Sequence, residues 1–189
     1  YKRQILADPV SILRIWEGGL SFHGGFIGVL FSFFIFSKKL NIGFFDLADH
    51  IALAFPIGLG FVRIGNFLGG ELLGRPTDLP WGMIFWSDPL QISRHPSQLY
   101  QAFFEGVVLF IILNLLVIKP KPKIFISGMF LALYGSFRIF TEIFRMPDSH
   151  IGFDFLDIIT RGQLLSTPMV IIGLLLIFLS YRNKNETIS

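Results

Sequence analysis

Long apolar stretches alternate with short polar segments along the whole chain. A helix of about 20 apolar residues is long enough to cross the hydrocarbon core of a bilayer. Polar or charged residues follow several of the stretches, as in Ser37-Lys38-Lys39 and in KPKPK at 119–123. The pattern predicts an all-α, polytopic transmembrane helical bundle with five spans, at residues 20–36, 47–68, 99–118, 124–144 and 163–181.

Composition excludes a soluble globule. Of the 189 residues, 52% are hydrophobic and only 15% are charged, and the mean hydropathy is +0.64. Soluble domains carry about 25% charged residues. We find no internal repeat and no low-complexity linker, so we expect one transmembrane domain over residues 1–189. Because the chain begins with Tyr1 rather than Met, we expect it to be N-terminally incomplete.

The lysines predict the orientation in the membrane. If the five spans alternate in direction, six of the seven lysines lie on one face, in short loops that are nearly free of acidic residues. The positive-inside rule makes that face cytoplasmic. The long loops, residues 69–97 and 145–162, are then extracytoplasmic. Because long loops more often carry function, we expect the active site toward that face.

Charged residues within the predicted spans indicate a site. Each costs about 2.5–3.5 kcal/mol on insertion scales, so each needs a partner or a function. Tyr134, Arg138, Glu142 and Arg145 follow one another at spacings of four, four and three, which places them on one helix face. Arg63 lies toward the same, extracytoplasmic end of its own span.

Two guanidinium groups at one depth would repel each other unless an anion lay between them. A phospholipid phosphate is the anion expected there, and arginine binds phosphate through two parallel hydrogen bonds. Two structural alternatives stay open. Arg63 snorkels to the interface, or Arg138 and Glu142 form an ion pair that only locks two helices.

His23 precedes Gly24 and Gly25 at the start of the first predicted span. A neutral imidazole near pH 7 accepts a proton, which suits a general base for a thiol or a hydroxyl. The alternative is an interfacial histidine with a structural hydrogen bond.

The third predicted span begins with a polar face. Gln98, Gln101 and Glu105 follow one another at spacings of three and four, and Glu105 lies well inside the apolar stretch. An ordinary helix start accounts for Ser97 and for an interfacial Tyr100, but it leaves Glu105 unexplained.

Five sequence blocks, in order, resemble the prolipoprotein diacylglyceryl transferases. SFHGGFIGV is similar to the His-Gly-Gly motif of that family, and RIGNFLGGELLGR is similar to its signature. RHPSQLYQAFFEGV, YGSFRIFTEIFRMPD and GQLLSTPM match its later blocks. The family fold has seven transmembrane helices, so the resemblance implies that the five spans are the last five. Gly69-Gly70 departs from the Asn-Gly pair that is common in the signature.

The resemblance implies a transferase of the bacterial cytoplasmic (inner) membrane. It would move the diacylglyceryl group of phosphatidylglycerol to the lipobox cysteine thiol of a preprolipoprotein, forming a thioether and releasing glycerol 1-phosphate. The implied catalytic residues are His23, Arg63 and Arg138. The implied substrate-binding residues are Arg63, Asn66, Glu71, Gly74, Tyr134, Arg138 and Glu142. The chain has no cysteine, which fits a sulfur that belongs to the substrate.

We expect no cofactor, no metal and no nucleic-acid partner. Another lipid enzyme, such as a phosphatidyl-alcohol transferase, usually needs a cluster of aspartates that holds a divalent metal, and the acids within the predicted spans are too sparse for that. The competing function is a membrane transporter or channel for an anionic solute, with the arginines along its path. That function predicts internal repeats or broken helix pairs, which the sequence does not show.

Overall fold

A computed structural model describes residues 22–147, 153–155 and 159–186. The chain divides into two compact units, residues 1–44 and residues 45–189. In the first unit, helix α1 spans Phe22–Leu40 and continues past the predicted end at residue 36. Lys38 and Lys39 occupy its last turn, where positive charge complements the helix dipole. Asn41 ends the helix with a φ of 54°, a conformation that asparagine tolerates.

The second unit contains four helices at the remaining predicted positions. They are α2 (Phe44–Leu68), α3 (Ser97–Leu116), α4 (Phe125–Thr141) and α5 (Arg161–Glu186). A 3-10 turn, Glu142–Phe144, continues α4. The predicted all-α class is confirmed, and the helix boundaries lie within about five residues of the predicted ones, with the end of α2 at Leu68 as predicted.

The number of spans is supported only in part. Among the described residues, three helices are long and apolar enough to cross a membrane by length and composition, at Phe44–Leu68, Ser97–Leu116 and Gly162–Arg182. Helix α4 has 17 residues before its 3-10 turn, and α1 carries two lysines near its end. These two segments are helical as predicted, but their helices are not among those three.

Helices α2 and α3 approach closely at a pair of glycines. A Cβ atom on Gly106 would lie 2.8 Å from the Cα atom of Gly60, well inside normal contact. Small residues allow such an approach between membrane helices. Gly106 lies within a π-helical segment of α3, Ala102–Val108, between α-helical turns on either side. Short π segments inside helices are frequent at functional sites.

Apolar side chains of α2, α3 and α4 form a buried core in the second unit. It consists of Ala52, Leu109, Leu113, Phe125 and Ile126. Helices α4 and α5 pack through small residues, since a Cβ atom on Gly128 would meet the carbonyl oxygen of Gly173 at 3.0 Å. Lys123 and Asp46 form an ion pair of 2.9 Å near the start of α2.

The loop between α2 and α3 folds around a buried ion pair. Strands β1 (Met83–Ile84) and β2 (Ser93–Arg94) are antiparallel, with Met83 opposite Arg94. Arg94 donates from Nε to Asp88 at 2.8 Å and from Nη2 at 3.0 Å, and both side chains are buried. The backbone of this loop bridges to the end of α4 at Gly74 and Arg145. Between α4 and α5, β3 (Phe153–Phe155) pairs with β4 (Ile159–Thr160).

The Asp88–Arg94 pair gives the loop a predicted pH dependence. The hydrogen bond from Arg94 lowers the pKa of Asp88 from 3.8 to about 2. Because the folded pKa is lower than the unfolded one, the pair stabilises the loop fully above about pH 4, and this contribution is lost as the pH falls toward 2. We expect amide hydrogen exchange in residues 83–94, corrected for intrinsic rates, to accelerate over that interval.

Asp88→Asn should remove this pH dependence and leave the loop less protected at pH 6. Asp78→Asn, at an exposed position of the same loop, is the control and should retain it. A pH dependence that persists unchanged in Asp88→Asn would assign it to another group.

The glycine contact between α2 and α3 predicts an asymmetry between two Gly→Ala changes. Gly106→Ala places a methyl group against the backbone of α2, and overpacking of this kind costs about 1–3 kcal/mol. Gly58→Ala adds a methyl group to α2 where nothing lies within 4 Å, and alanine is the better helix former. The midpoint of unfolding in a denaturing detergent should fall for the first variant and stay level or rise for the second. Equal midpoints would contradict the close packing.

Candidate active site

A buried carboxylate lies where three helices converge. Glu105 of α3 is fully buried, and its Oε2 atom accepts from Nε and Nη2 of Arg63 of α2, each at 3.2 Å. Its Oε1 atom lies 3.6 Å from Nη1 of Arg138 and accepts a hydrogen bond of 3.1 Å from the Thr141 hydroxyl, both on α4. One carboxylate therefore fixes the positions of two guanidinium groups from different helices.

The ion network continues along α4. Nη2 of Arg138 lies 3.2 Å from Glu142, and Glu142 in turn lies 3.4 Å from Nη1 of Arg145. The Arg138–Glu142 contact follows the predicted helix face, since α4 is helical through Thr141 and its 3-10 turn carries Glu142. Arg145 was predicted on the same face, but its backbone is extended and it lies just after the 3-10 turn. Among the side chains that the structure describes, the network includes three arginines and two glutamates.

A protein carboxylate lies between the two arginines. The structure places Glu105 against both Arg63 and Arg138, and the lipid phosphate that we expected beside them stays a prediction. The guanidinium group of Arg63 also does not snorkel away from the bundle, because its side chain is only 13% exposed and pairs with Glu105. The ion pair between Arg138 and Glu142 is present as one edge of a larger network.

Glu142 has a second anchor at the start of α5. A Cβ atom on Gly162 would lie 2.6 Å from the carboxyl carbon of Glu142, so only glycine leaves room for that carboxylate. The N-terminal turn of a helix carries partial positive charge and stabilises a nearby carboxylate. The start of helix α5 therefore helps to orient the carboxylate of Glu142.

The end of α2 brings Asn66 and Glu71 together. Gly70 has a φ of 64°, and the Glu71 amide donates back to the Asn66 carbonyl at 2.9 Å. The Gly70 amide also donates to the Phe67 carbonyl, and the two bonds together form a Schellman motif. The turn lets Nδ2 of Asn66 donate to the carboxylate of Glu71 at 3.1 Å. The departure from the family pattern, at Gly69, leaves the glycine that this turn requires in place.

Helix α3 holds this turn from the other side. Nε2 of Gln98 donates to the backbone carbonyl of Glu71, and the Ser97 hydroxyl donates to the carbonyl of Leu72. Gln98 and Gln101 are both buried, on the helix face that also carries Glu105. Side chains of α3 thus fix the backbone of the segment that follows α2.

The remaining predicted site residues have different surroundings. Gly74 is buried in the loop, where a Cβ atom would lie 2.0 Å from the carbonyl oxygen of His95, so its place is a packing constraint. Tyr134 stacks on Phe130 at 5.8 Å between ring centroids. The charges of Glu105, Arg138 and Arg63 act electrostatically on its hydroxyl. His23 belongs to α1 in the first unit, and its side chain lies outside the described residues.

Sequence reasoning did not assign a role to Glu105, Gln101 or Arg145. Their signal was present, because each falls on a predicted polar face of its helix. The sequence did not reveal that Glu105 faces both arginines, since its partners lie 42 and 33 positions away along the chain.

Comparison with known proteins identifies the family. The family model for prolipoprotein diacylglyceryl transferase matches residues 1–179. The phosphatidylglycerol–prolipoprotein diacylglyceryl transferase of Pseudomonas syringae pv. syringae is 52% identical over 179 residues, which are 94% of this chain and 66% of that protein. The enzyme of the same name from Teredinibacter turnerae is 52% identical over 178 residues, 94% of this chain and 62% of that protein.

A third relative of that name, from Pseudomonas putida, is 52% identical over 181 residues, 95% of this chain and 68% of that protein. The chain spans about two thirds of the length of these curated relatives. The match nevertheless covers nearly the whole of this chain, including every segment that forms the ion network. The chain therefore belongs to the prolipoprotein diacylglyceryl transferase family.

Proposed function

We propose that the protein is a transferase that moves the diacylglyceryl group of phosphatidylglycerol to the lipobox cysteine thiol of a preprolipoprotein. The products are a thioether-linked lipoprotein precursor and glycerol 1-phosphate. The names of the relatives state phosphatidylglycerol and prolipoprotein. The observation that supports the proposal best is the buried network around Glu105, in which two guanidinium groups from different helices converge on one carboxylate. Family membership favours this transfer over anion transport.

The network offers donors for a phosphodiester. Arg63 donates from Nε and Nη2 to Glu105, whereas Arg138 forms ion pairs with Glu105 at 3.6 Å and with Glu142 at 3.2 Å. Nη1 of Arg138 is buried and has no hydrogen-bond partner among the described residues, which leaves it as a donor for a phosphate oxygen. A phosphodiester carries one negative charge, which guanidinium groups attract. We propose that the lipid phosphate binds against the two guanidinium groups, which Glu105 holds in place.

The reaction is a displacement at carbon. The cysteine thiolate attacks the glycerol carbon of the diacylglyceryl group that carries the phosphate, so a C–S bond forms as the C–O bond breaks. The electron pair of that bond goes to the phosphate oxygen, and glycerol 1-phosphate leaves with an additional negative charge. Preorganised donors at the site of developing charge are typically worth about 10²–10³ in rate. Arg63 and Arg138 are the proposed donors.

The general base is either His23 or a carboxylate. Glu105 and Glu142 are engaged with arginines, so Glu71 is the carboxylate better placed to accept a proton. It is exposed and accepts a hydrogen bond from Asn66. His23 is a candidate through its His-Gly-Gly motif and the ordinary pKa of histidine.

We also propose that the protein resides in the bacterial inner membrane with this site toward the extracytoplasmic face. Lys123 pairs with Asp46 at the start of α2, whereas Arg63 lies near the other end of that helix. The lysine-rich loop at residues 119–123 and the ion network thus lie toward opposite ends of α2. The positive-inside rule assigns the lysine-rich end to the cytoplasm.

The transfer is tested with phosphatidylglycerol and a lipobox peptide in reconstituted membranes. We expect the peptide cysteine to gain the mass of one diacylglyceryl group, with glycerol 1-phosphate released in equal amount. Arg138→Lys should lower turnover by about 10²–10³, because an ammonium group cannot reproduce the planar donor geometry that Glu105 and Glu142 fix. Arg182→Lys, at the exposed end of α5, is the matched control and should retain full rate.

Near-normal turnover in Arg138→Lys would remove the guanidinium argument. Absence of the mass gain, together with protein-dependent flux of phosphate across the vesicle membrane, would replace the transferase with an anion transporter.

The role of His23 is tested by its pH profile. If its imidazole takes the thiol proton, His23→Gln should lower kcat by about 10²–10⁴ and remove the limb of the pH–rate profile between pH 6 and 8. His50→Gln is the control, at an exposed histidine near the start of α2, and should leave the profile unchanged. A full rate across pH 6–8 in His23→Gln would make Glu71 the remaining candidate, to be checked with Glu71→Gln.

A further inference from the structure

Gln101 is a buried amide without a described function. Its side chain is 1% exposed, and neither its nitrogen nor its oxygen has a hydrogen-bond partner among the residues that the structure describes. Burying a primary amide without partners is costly, and most buried polar atoms in proteins are paired. An amide left in this state beside a proposed substrate site is a binding group for a ligand.

The position of Gln101 follows from two sets of polar contacts that α3 makes. In the first, Arg63 of α2 contacts Glu105. In the second, Asn66 and Gln98 both donate to Glu71, which follows α2. Gln101 lies on α3 between Gln98 and Glu105, at spacings of three and four, so it lies between the two sets of contacts along the helix.

Two neighbouring amides are also incompletely paired. The side-chain oxygens Oδ1 of Asn66 and Oε1 of Gln98 are buried and have no hydrogen-bond partner among the described residues. Their nitrogens are committed to Glu71, which fixes which way each amide faces. Together with Gln101, these neighbouring side chains have three carbonyl oxygens and one NH₂ group without a hydrogen-bond partner among the described residues.

This set of groups selects for a hydroxyl. A hydroxyl group donates to a carbonyl oxygen and also accepts from an NH₂ group, whereas an ammonium group only donates. The guanidinium group of Arg63, one helical turn from Asn66 on α2, disfavours a cationic headgroup. A phosphate oxygen only accepts, so it suits the arginines and not the three carbonyl oxygens.

We propose that Gln101, with the carbonyl oxygens of Asn66 and Gln98, binds a hydroxyl group of the polyol headgroup of the lipid whose phosphate lies on Arg63 and Arg138. The inference rests on the proposed function and extends it to headgroup specificity. Gln101 is a specificity residue that distinguishes a hydroxylated anionic headgroup from one of the same charge without hydroxyls.

The test compares two lipids that differ only in the headgroup hydroxyls, phosphatidylglycerol and phosphatidylpropanol. We expect the protein to prefer phosphatidylglycerol by about 10- to 100-fold in kcat/KM, the range for leaving a buried polar group unpaired. Gln101→Met keeps the size of the side chain and removes both polar atoms. It should lower kcat/KM for phosphatidylglycerol only, so that the ratio falls toward one; Gln101→Leu repeats the test if the methionine variant does not fold.

Asn114→Leu is the matched control, because Asn114 is a partly buried amide on the same helix whose nitrogen donates to Leu53 and Phe110. Its headgroup ratio should be that of the unaltered protein. Equal losses on both lipids in Gln101→Met, or an unchanged ratio, would overturn the assignment.

Binding of each lipid, measured by native mass spectrometry without the peptide, separates this inference from the transfer reaction. If no thioether forms, yet phosphatidylglycerol binds preferentially and Gln101→Met abolishes the preference, the transfer proposal fails and the hydroxyl site stands. If thioether forms and the variant retains the preference, the hydroxyl site alone fails. If neither lipid is preferred in binding or turnover, the hydroxyl site is also overturned.

Discussion

The structure depends on one buried carboxylate that forms ion pairs with two guanidinium groups at once. An arginine inside a bundle is costly unless its charge is paired, and Glu105 pairs with Arg63 and Arg138 from two other helices. Helices α2, α3 and α4 are therefore constrained to meet at one depth. The Gly60–Gly106 contact supplies the short distance between α2 and α3 that this pairing requires. The π-helical segment of α3 carries both Glu105 and Gly106, so one local distortion positions both features.

Sequence patterns predict the helices because burial in lipid demands long apolar stretches and satisfied backbones. They also predict that Arg138 and Glu142 share a face, since both positions follow a single helical period. The identity of the anion beside the arginines was not predictable in the same way. It depends on how α3 is rotated against α2 and α4, and a π segment changes that rotation without leaving a periodic signal. Local spacing identifies a polar face, whereas tertiary packing selects its partner.

The loop after α2 illustrates the same division. A glycine pair following an apolar helix is a recognisable end signal, and Gly70 adopts the left-handed conformation that the signal implies. The buried pair of Asp88 and Arg94 was not predicted, because charged residues in a long loop are usually solvated. Folding the loop onto itself buries them, and Arg94 then also donates to the carbonyl of Gly74. The loop between α2 and α3 is consequently held by buried contacts of its own rather than being a free connection.

The charge of the network has a consequence for how substrate binding and catalysis are divided. In the proposed reaction, the guanidinium groups of Arg63 and Arg138 attract the negative charge of the bound phosphodiester, while Glu105 offsets part of their own charge and so limits the cost of burying them. When the C–O bond of the proposed substrate breaks, the phosphate gains negative charge, so the same guanidinium groups interact more strongly with the transition state than with the bound lipid. Interactions that strengthen in this way accelerate the chemical step. The proposed hydroxyl site at Gln101 then recognises the part of the headgroup that does not change charge.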